Sequence, residues 1–165
     1  MRMSAGVEWG LHCCLALAWI GEGEVVSTAR LAEKFGLAPA YLNKALQALV
    51  RGGILASLPG SKGGFRLARK PAEITLLEIV DAIEGPEAAF RCTEIRRQGT
   101  GASPAEECTR PCAITTAMRR AESAWRKALA DQTLEALMSE APRTAAERAV
   151  RWYASVLDSQ RVPAG

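Results

Sequence analysis

The sequence predicts a mainly α-helical protein with one small β-hairpin: a winged helix-turn-helix followed by a long helix suited to dimerisation. Three features of the chain point there. Two short amphipathic segments meet across a Gly-containing turn between Phe35 and Pro39. Two apolar runs flank a Gly-rich tip, PGSKGG at 59–64, directly after the second segment. From Ala113 to Ala130, apolar residues recur at three- and four-residue steps.

In chain order, Val7–Ile20 is apolar nearly all round and reads as a buried helix, weakened slightly by Gly10. Two polar groups interrupt it, Glu8 and His12, the one histidine of the chain. Four apart, they project from the same helix face. Cys13 and Cys14 read as small apolar core residues. Ser27–Phe35 is a short helix capped by Ser27 or Thr28 and ended by Gly36. Pro39 opens the next helix and Gly52-Gly53 close it, with Leu42, Leu46 and Leu49 as the inner stripe. Tyr41, Asn43, Lys44, Gln47 and Arg51 lie elsewhere on that helix and have the chemistry to reach base edges and phosphates. Strands are expected at Ile54–Leu58 and Phe65–Ala68. The wing between them offers Lys62 and Arg66 to a minor groove or to phosphates.

Pro71 then breaks the chain. Ile74–Glu84 is amphipathic and is expected to pack on the winged unit, with Gly85-Pro86 as its stop. A Cys-, Gly-, Ser-, Thr- and Pro-rich stretch follows at 90–113. After the long helix, one short helix is expected at Asp131–Met138. Thr144 with Glu147 forms a capping-box pattern for a last helix, with Val150, Tyr153, Val156 and Leu157 on one side. The expected division is 1–71 for the DNA-binding unit, 72–140 for the cysteine loop and dimerisation helix, and 141–165 for a C-terminal helical extension.

The 165 residues are 48% hydrophobic and 24% charged, as in a folded chain. The net charge of +3 hides an asymmetry. Residues 1–71 hold nine Lys/Arg against four Asp/Glu, a net +5, and the remainder is net −2. The positive half is the candidate for double-stranded DNA. No apolar run is long enough to span a bilayer. The first ten residues lack an apolar core followed by a small-residue cleavage site, so a reducing, cytoplasmic setting is expected. Five cysteines in that setting favour metal or redox chemistry over structural disulfides. No nucleophile–base–orienter set and no phosphate loop is visible, so an enzyme is not expected.

The ligand inventory is Cys92, Cys108 and Cys112 in one loop, with Glu8 and His12 on the first helix. Thiolates bind zinc or the iron of iron–sulfur clusters. Zinc sites usually present cysteines as two close pairs, and here only Cys108 and Cys112 are close. A disulfide sensor needs only two of the thiols and leaves Glu8 and His12 unexplained. The residues by themselves leave zinc, a cluster and a disulfide open.

Taken together, VEWGLHCC, Tyr41-Leu42, the wing ending KGGFRLAR, ITLLEIVDAIEG, CTEIR and ECTRPCAI resemble the IscR/NsrR/RsrR family of bacterial iron–sulfur winged-helix transcription regulators. The resemblance spans roughly residues 1–138. It is most marked toward the family's RsrR-like members, through Glu8, Trp9, His12 and Cys13-Cys14. It implies a homodimer gripping a palindromic operator, and a cluster between the long helices and the partner's first helix. Most of the family binds its cluster through three closely spaced cysteines. Here the gap from Cys92 to Cys108 is much longer. RsrR-like members use two Cys from one subunit with Glu and His from the other. Carried over, the ligands of a 2Fe–2S cluster are Cys92, Cys112, Glu8 and His12, with Cys108 as the alternative ligand. The competing assignment is a 4Fe–4S nitric-oxide or iron–sulfur-status sensor on Cys92, Cys108, Cys112 and Glu8. A zinc-stabilised DNA-binding module is the other. Trp9, flanked by ligand candidates, is the packing element placed to respond. Ala38 and Ala40 stand where the family often has Ser, so no hydroxyl is on offer there. The expected activity is redox-responsive repression.

Overall fold

The structure is a computed structural model that describes residues 3–161, with side chains from 3 to 159. Its centre is helix α1, Ala5–Ile20. Val7, Cys13, Cys14, Ala16 and Leu17 of α1 are buried. Such a strongly apolar helix needs partners on several sides, and it has them on α3, α4, α6 and α7, whose ranges follow. The helix starts two residues before the expected Val7. Ser4 precedes it, and its N–H and hydroxyl donate to Glu84 Oε1 at 2.8 and 2.5 Å. Gly10 has a packing reason: a Cβ there would lie 2.5 Å from Ile83 Cδ1, so the missing side chain lets α4 approach.

Helix α2 is Thr28–Phe35, with Ser27 Oγ accepting from Arg30 N. Gly36 follows at φ 64°, the left-handed position that ends a helix and opens the turn. Helix α3 is Pro39–Arg51, with Leu42, Leu46 and Leu49 fully buried as the periodicity predicts. Strands β1, Leu55–Leu58, and β2, Gly64–Leu67, pair antiparallel from Leu55↔Leu67 to Leu58↔Gly64. Val26 bridges to Phe65 through bonds of 3.0 and 2.8 Å, so the base of the wing is stitched to the α1–α2 loop.

Helix α4 is Leu76–Glu84, starting after a complete Thr75–Glu78 capping box. It packs on α1 and α3. The expected start at Ile74 is corrected for a tertiary reason. Ile74 O accepts from Leu134 N at 2.9 Å and Leu76 N donates to Gln132 O at 3.0 Å, so this stretch is extended and paired. Helix α5 is Ala113–Ala130, matching its expected bounds. Helix α6, Leu134–Glu140, begins three residues later than the expected Asp131 because Thr133 accepts from Ala136 N as its cap.

Helix α7, Arg143–Arg161, places Thr144 inside its first turn rather than at the cap. Its inner face is Ala149, Tyr153 and Val156, docked on α1, while Val150 and Leu157 are exposed. The expected stripe is therefore corrected by part of a turn. The docking surface on α1, not the count of apolar residues, sets which face turns inward.

Candidate functional site

The cysteine loop runs from the end of α4 to the start of α5, with short 3-10 turns at Ile95–Arg97 and Ala105–Cys108. Cys92 and Cys112 line one open recess of about 440 Å³ with Phe90, Ile95, Arg96 and Ile114. Cys108 is not among its walls. Cys112 is the N-cap of α5. Its sulfur accepts from Thr115 N at 3.4 Å and lies 3.3 Å from the Thr115 hydroxyl. Hydrogen bonds from the Thr115 side chain and backbone, with Arg96 nearby, hold this thiol below the ordinary range. The thiolate, the form that ligates metals, is thereby favoured relative to a free cysteine. The sulfur of Cys92 is exposed and accepts from Glu94 N at 3.4 Å.

Glu8 and His12 sit one turn apart on an exposed face of α1. Among the described residues no hydrogen bond joins them. His12 rests its ring against Phe35, with centroids 5.8 Å apart, at the end of α2. Trp9 is half-buried against the core. Within one subunit, no group of three or more His, Cys, Asp or Glu able to hold a metal is assembled among the described residues. The fold thus presents two separate pairs: Cys92 with Cys112, and Glu8 with His12. Each pair has metal-ligating side-chain chemistry, thiols in one and a carboxylate with an imidazole in the other. Cys13 and Cys14 take no part. Both are fully buried, and burial pushes Cys13 up to about 12 and Cys14 higher still.

Helix α3 projects Tyr41 (70% exposed), Asn43, Lys44 and Arg51 outward, with Gln47 half-buried. Asn43 Oδ1 accepts from Thr28 Oγ1 at 3.3 Å, tying the outer face of α3 to the start of α2. Lys62 and Arg66 are exposed on the wing. Helix α5 leaves its apolar stripe largely uncovered, with Ile114 67% and Met118 42% exposed. It is anchored to its own chain through α4, where Arg126 donates to both carboxylate oxygens of Asp81 at 3.0 and 2.6 Å.

Glu94, Arg96 and Thr115 also belong to the site and were not expected from the sequence. Thr115 was findable, since it stands three residues after a cysteine at a helix start, where an N-cap acceptor meets the N3 residue. Glu94 and Arg96 were not, because their contacts depend on the path of the loop.

The family model described as Rrf2, iron-dependent transcriptional regulator, matches residues 3–140. The chain belongs to the Rrf2 family. Helix α7 lies beyond the matched residues. The chain is 30% identical over 140 residues to a Lactococcus lactis protein named an HTH-type transcriptional regulator, covering 85% of this chain and 88% of that one. It is 33% identical over 134 residues to a Mycobacterium tuberculosis protein of the same description, covering 81% and 79%. Among solved structures, CymR, the global cysteine regulator of B. subtilis, aligns with a TM-score of 0.67 at 24% identity, covering 86% of this chain and 99% of that one. IscR of T. potens aligns with a TM-score of 0.63 at 21% identity, covering 87% and 90%. Those two likenesses establish the winged-helix fold. The chain is thus an HTH-type transcriptional regulator of the Rrf2 family, and its relatives are regulators rather than enzymes. Among the described residues no helix is long and apolar enough to cross a membrane.

Proposed function

We propose that this Rrf2 regulator is a homodimeric, redox-responsive repressor carrying a 2Fe–2S cluster at each of two sites shared between subunits. Cys92 and Cys112 of one subunit, with Glu8 and His12 of the other, are its ligands. The observation that carries the reading is the recess. It holds Cys92 together with Cys112, whose thiol the Thr115 hydrogen bonds shift below its ordinary range, and Cys108 is not part of it. When bound, the cluster supplies a one-electron change, and imidazole ligation raises its reduction potential.

The chain's own residues supply the coupling. Helix α1 carries Glu8 and His12, packs on α3, and reaches the end of α2 through His12 and Phe35. A shift of α1 therefore bears on both helices of the DNA-binding unit, with Trp9 as the half-buried residue that must repack. Tyr41, Asn43, Lys44, Gln47 and Arg51 face the major groove, and Lys62 and Arg66 hold phosphates or enter the minor groove. The uncovered stripe of α5 supports a two-fold dimer, which suits a palindromic operator.

The test is anaerobic purification with an absorption spectrum and iron and sulfide counts, repeated on His12→Ala and Cys108→Ala. The reading predicts a coloured protein with equal iron and sulfide. His12→Ala should lose the cluster and Cys108→Ala should keep it. A 4Fe–4S cluster on the three cysteines and Glu8 reverses that order. A colourless protein holding zinc contradicts the cluster altogether.

A further inference from the structure

The loop that carries Cys92 and Cys112 is held shut by one side chain. Glu94 adopts φ 50°, the sole left-handed non-glycine among the described residues. An L-residue takes this conformation at a cost, so its surroundings must impose it. The Glu94 side chain is gripped by Arg96. Its Nε and Nη2 donate to the two oxygens of Glu94 at 2.6 and 3.0 Å, a bidentate fork that lysine cannot reproduce. The same Nη2 donates to the carbonyl of Arg110 at 3.1 Å, fourteen residues away, two positions before Cys112. The carbonyl of Arg96 accepts from Ser103 N at 2.7 Å. Glu94 N in turn donates to Cys92 Sγ. One guanidinium therefore joins the arm bearing Cys92 to the arm bearing Cys112, and it lines the recess that both thiols share.

We infer that Arg96 is a positioning residue that sets Cys92 and Cys112 on one wall before any metal arrives. The inference rests on reading these two thiols as the ligand pair. It predicts that the pair is pre-organised in metal-free protein, so little loop ordering is left to oppose ligand binding. Arg96 also keeps the Glu94 carboxylate charge-paired beside the site; without the guanidinium, an unpaired negative charge there would disfavour the more reduced, more negative state of whatever is bound.

The test uses metal-free, full-length protein in a Cys108→Ser background, where Cys92 and Cys112 are the reactive thiols because Cys13 and Cys14 are buried. A short bismaleimide is added and the Cys92–Cys112 cross-link within one chain is measured by mass spectrometry. With Arg96 present, the second thiol reacts intramolecularly in high yield. Arg96→Met should lower that yield roughly tenfold, the equivalent of losing one charge-assisted contact. Glu94→Gln should lower it in the same direction. Arg96→Lys should fail to rescue the yield, because it lacks the fork. In cluster-loaded protein, however, Arg96→Lys should hold the reduction potential while Arg96→Met moves it to more negative values. An unchanged cross-link yield in both Arg96→Met and Glu94→Gln overturns the inference. The cross-linking contains no iron, so failure to load a cluster strikes the proposed function and leaves this result standing.

Discussion

Replacing Tyr153 by Phe removes a single hydroxyl from the inner face of α7. That hydroxyl donates to Glu24 Oε2 at 2.5 Å and ties α7 to the loop between α1 and α2. A hydrogen bond to a charged acceptor is worth about 1.5–3 kcal/mol when desolvated. Glu24 is exposed to water, which places this one near about 1 kcal/mol. At neutral pH the variant should therefore be less stable by about 1 kcal/mol, or roughly 2–4 °C in Tm. The pH dependence is the sharper part. Burial, and then the hydrogen bond to Glu24 and its charge, push the Tyr153 phenol up to about 12 from an ordinary 10. A raised folded value favours the neutral phenol. That contribution is whole below the unfolded value of about 10 and is lost as pH rises toward about 12, a swing of roughly 2–3 kcal/mol. Phenylalanine has no such loss. The stability gap between wild type and Tyr153→Phe should thus shrink above about pH 10, pass zero near about pH 11, and reverse beyond it. Urea denaturation of metal-free protein at one fixed concentration, repeated across that range, measures the gap directly. A gap that is absent at neutral pH, or constant through pH 11, refutes the reasoning.

Two further outcomes are expected. Lys62→Ala should weaken DNA binding at every sequence tested and reduce the slope of log affinity against log salt by about one, measured by titrations at several salt concentrations. An unchanged slope would remove the wing tip from the interface. A thiol reagent under native, metal-free conditions should label three of the five cysteines, Cys92, Cys108 and Cys112, and reach Cys13 and Cys14 only after denaturation. Fast native labelling at either of the two would show that α1 is not the buried centre described above.

The helix-turn-helix, the wing and α5 were legible in the chain because their signals are local. Gly36, Pro39 and the Leu42–Leu46–Leu49 stripe set two helices and their turn without help from distant residues. What escaped depends on partners far away in sequence. Ile74 looks helical by pattern, but its carbonyl pairs with Leu134, so α4 begins only after the Thr75 cap. Val150 looks like a core residue of α7, yet docking through Ala149, Tyr153 and Val156 turns it outward. At the candidate site, the family resemblance implied Cys92 and Cys112 as ligands with Cys108 as the alternative, but no local pattern places the three thiols in space. It follows from the loop's path that Cys92 and Cys112 line one recess and that Cys108 does not. That path is closed by Glu94 and Arg96, whose backbone angle and reach to Arg110 have no signature in the sequence.

In the proposed regulator each cluster draws its ligands from two subunits. A mixed dimer tests it most directly. One subunit carries Glu8→Ala and His12→Ala, the other carries Cys92→Ala and Cys112→Ala, and the two bear different affinity tags so that only the heterodimer is purified anaerobically. Each homodimer should be colourless. The heterodimer should hold one 2Fe–2S cluster per dimer, because one of its two sites keeps all four ligands. A heterodimer without iron, or clusters retained by the homodimer that lacks Glu8 and His12, would contradict a site built across the subunit interface.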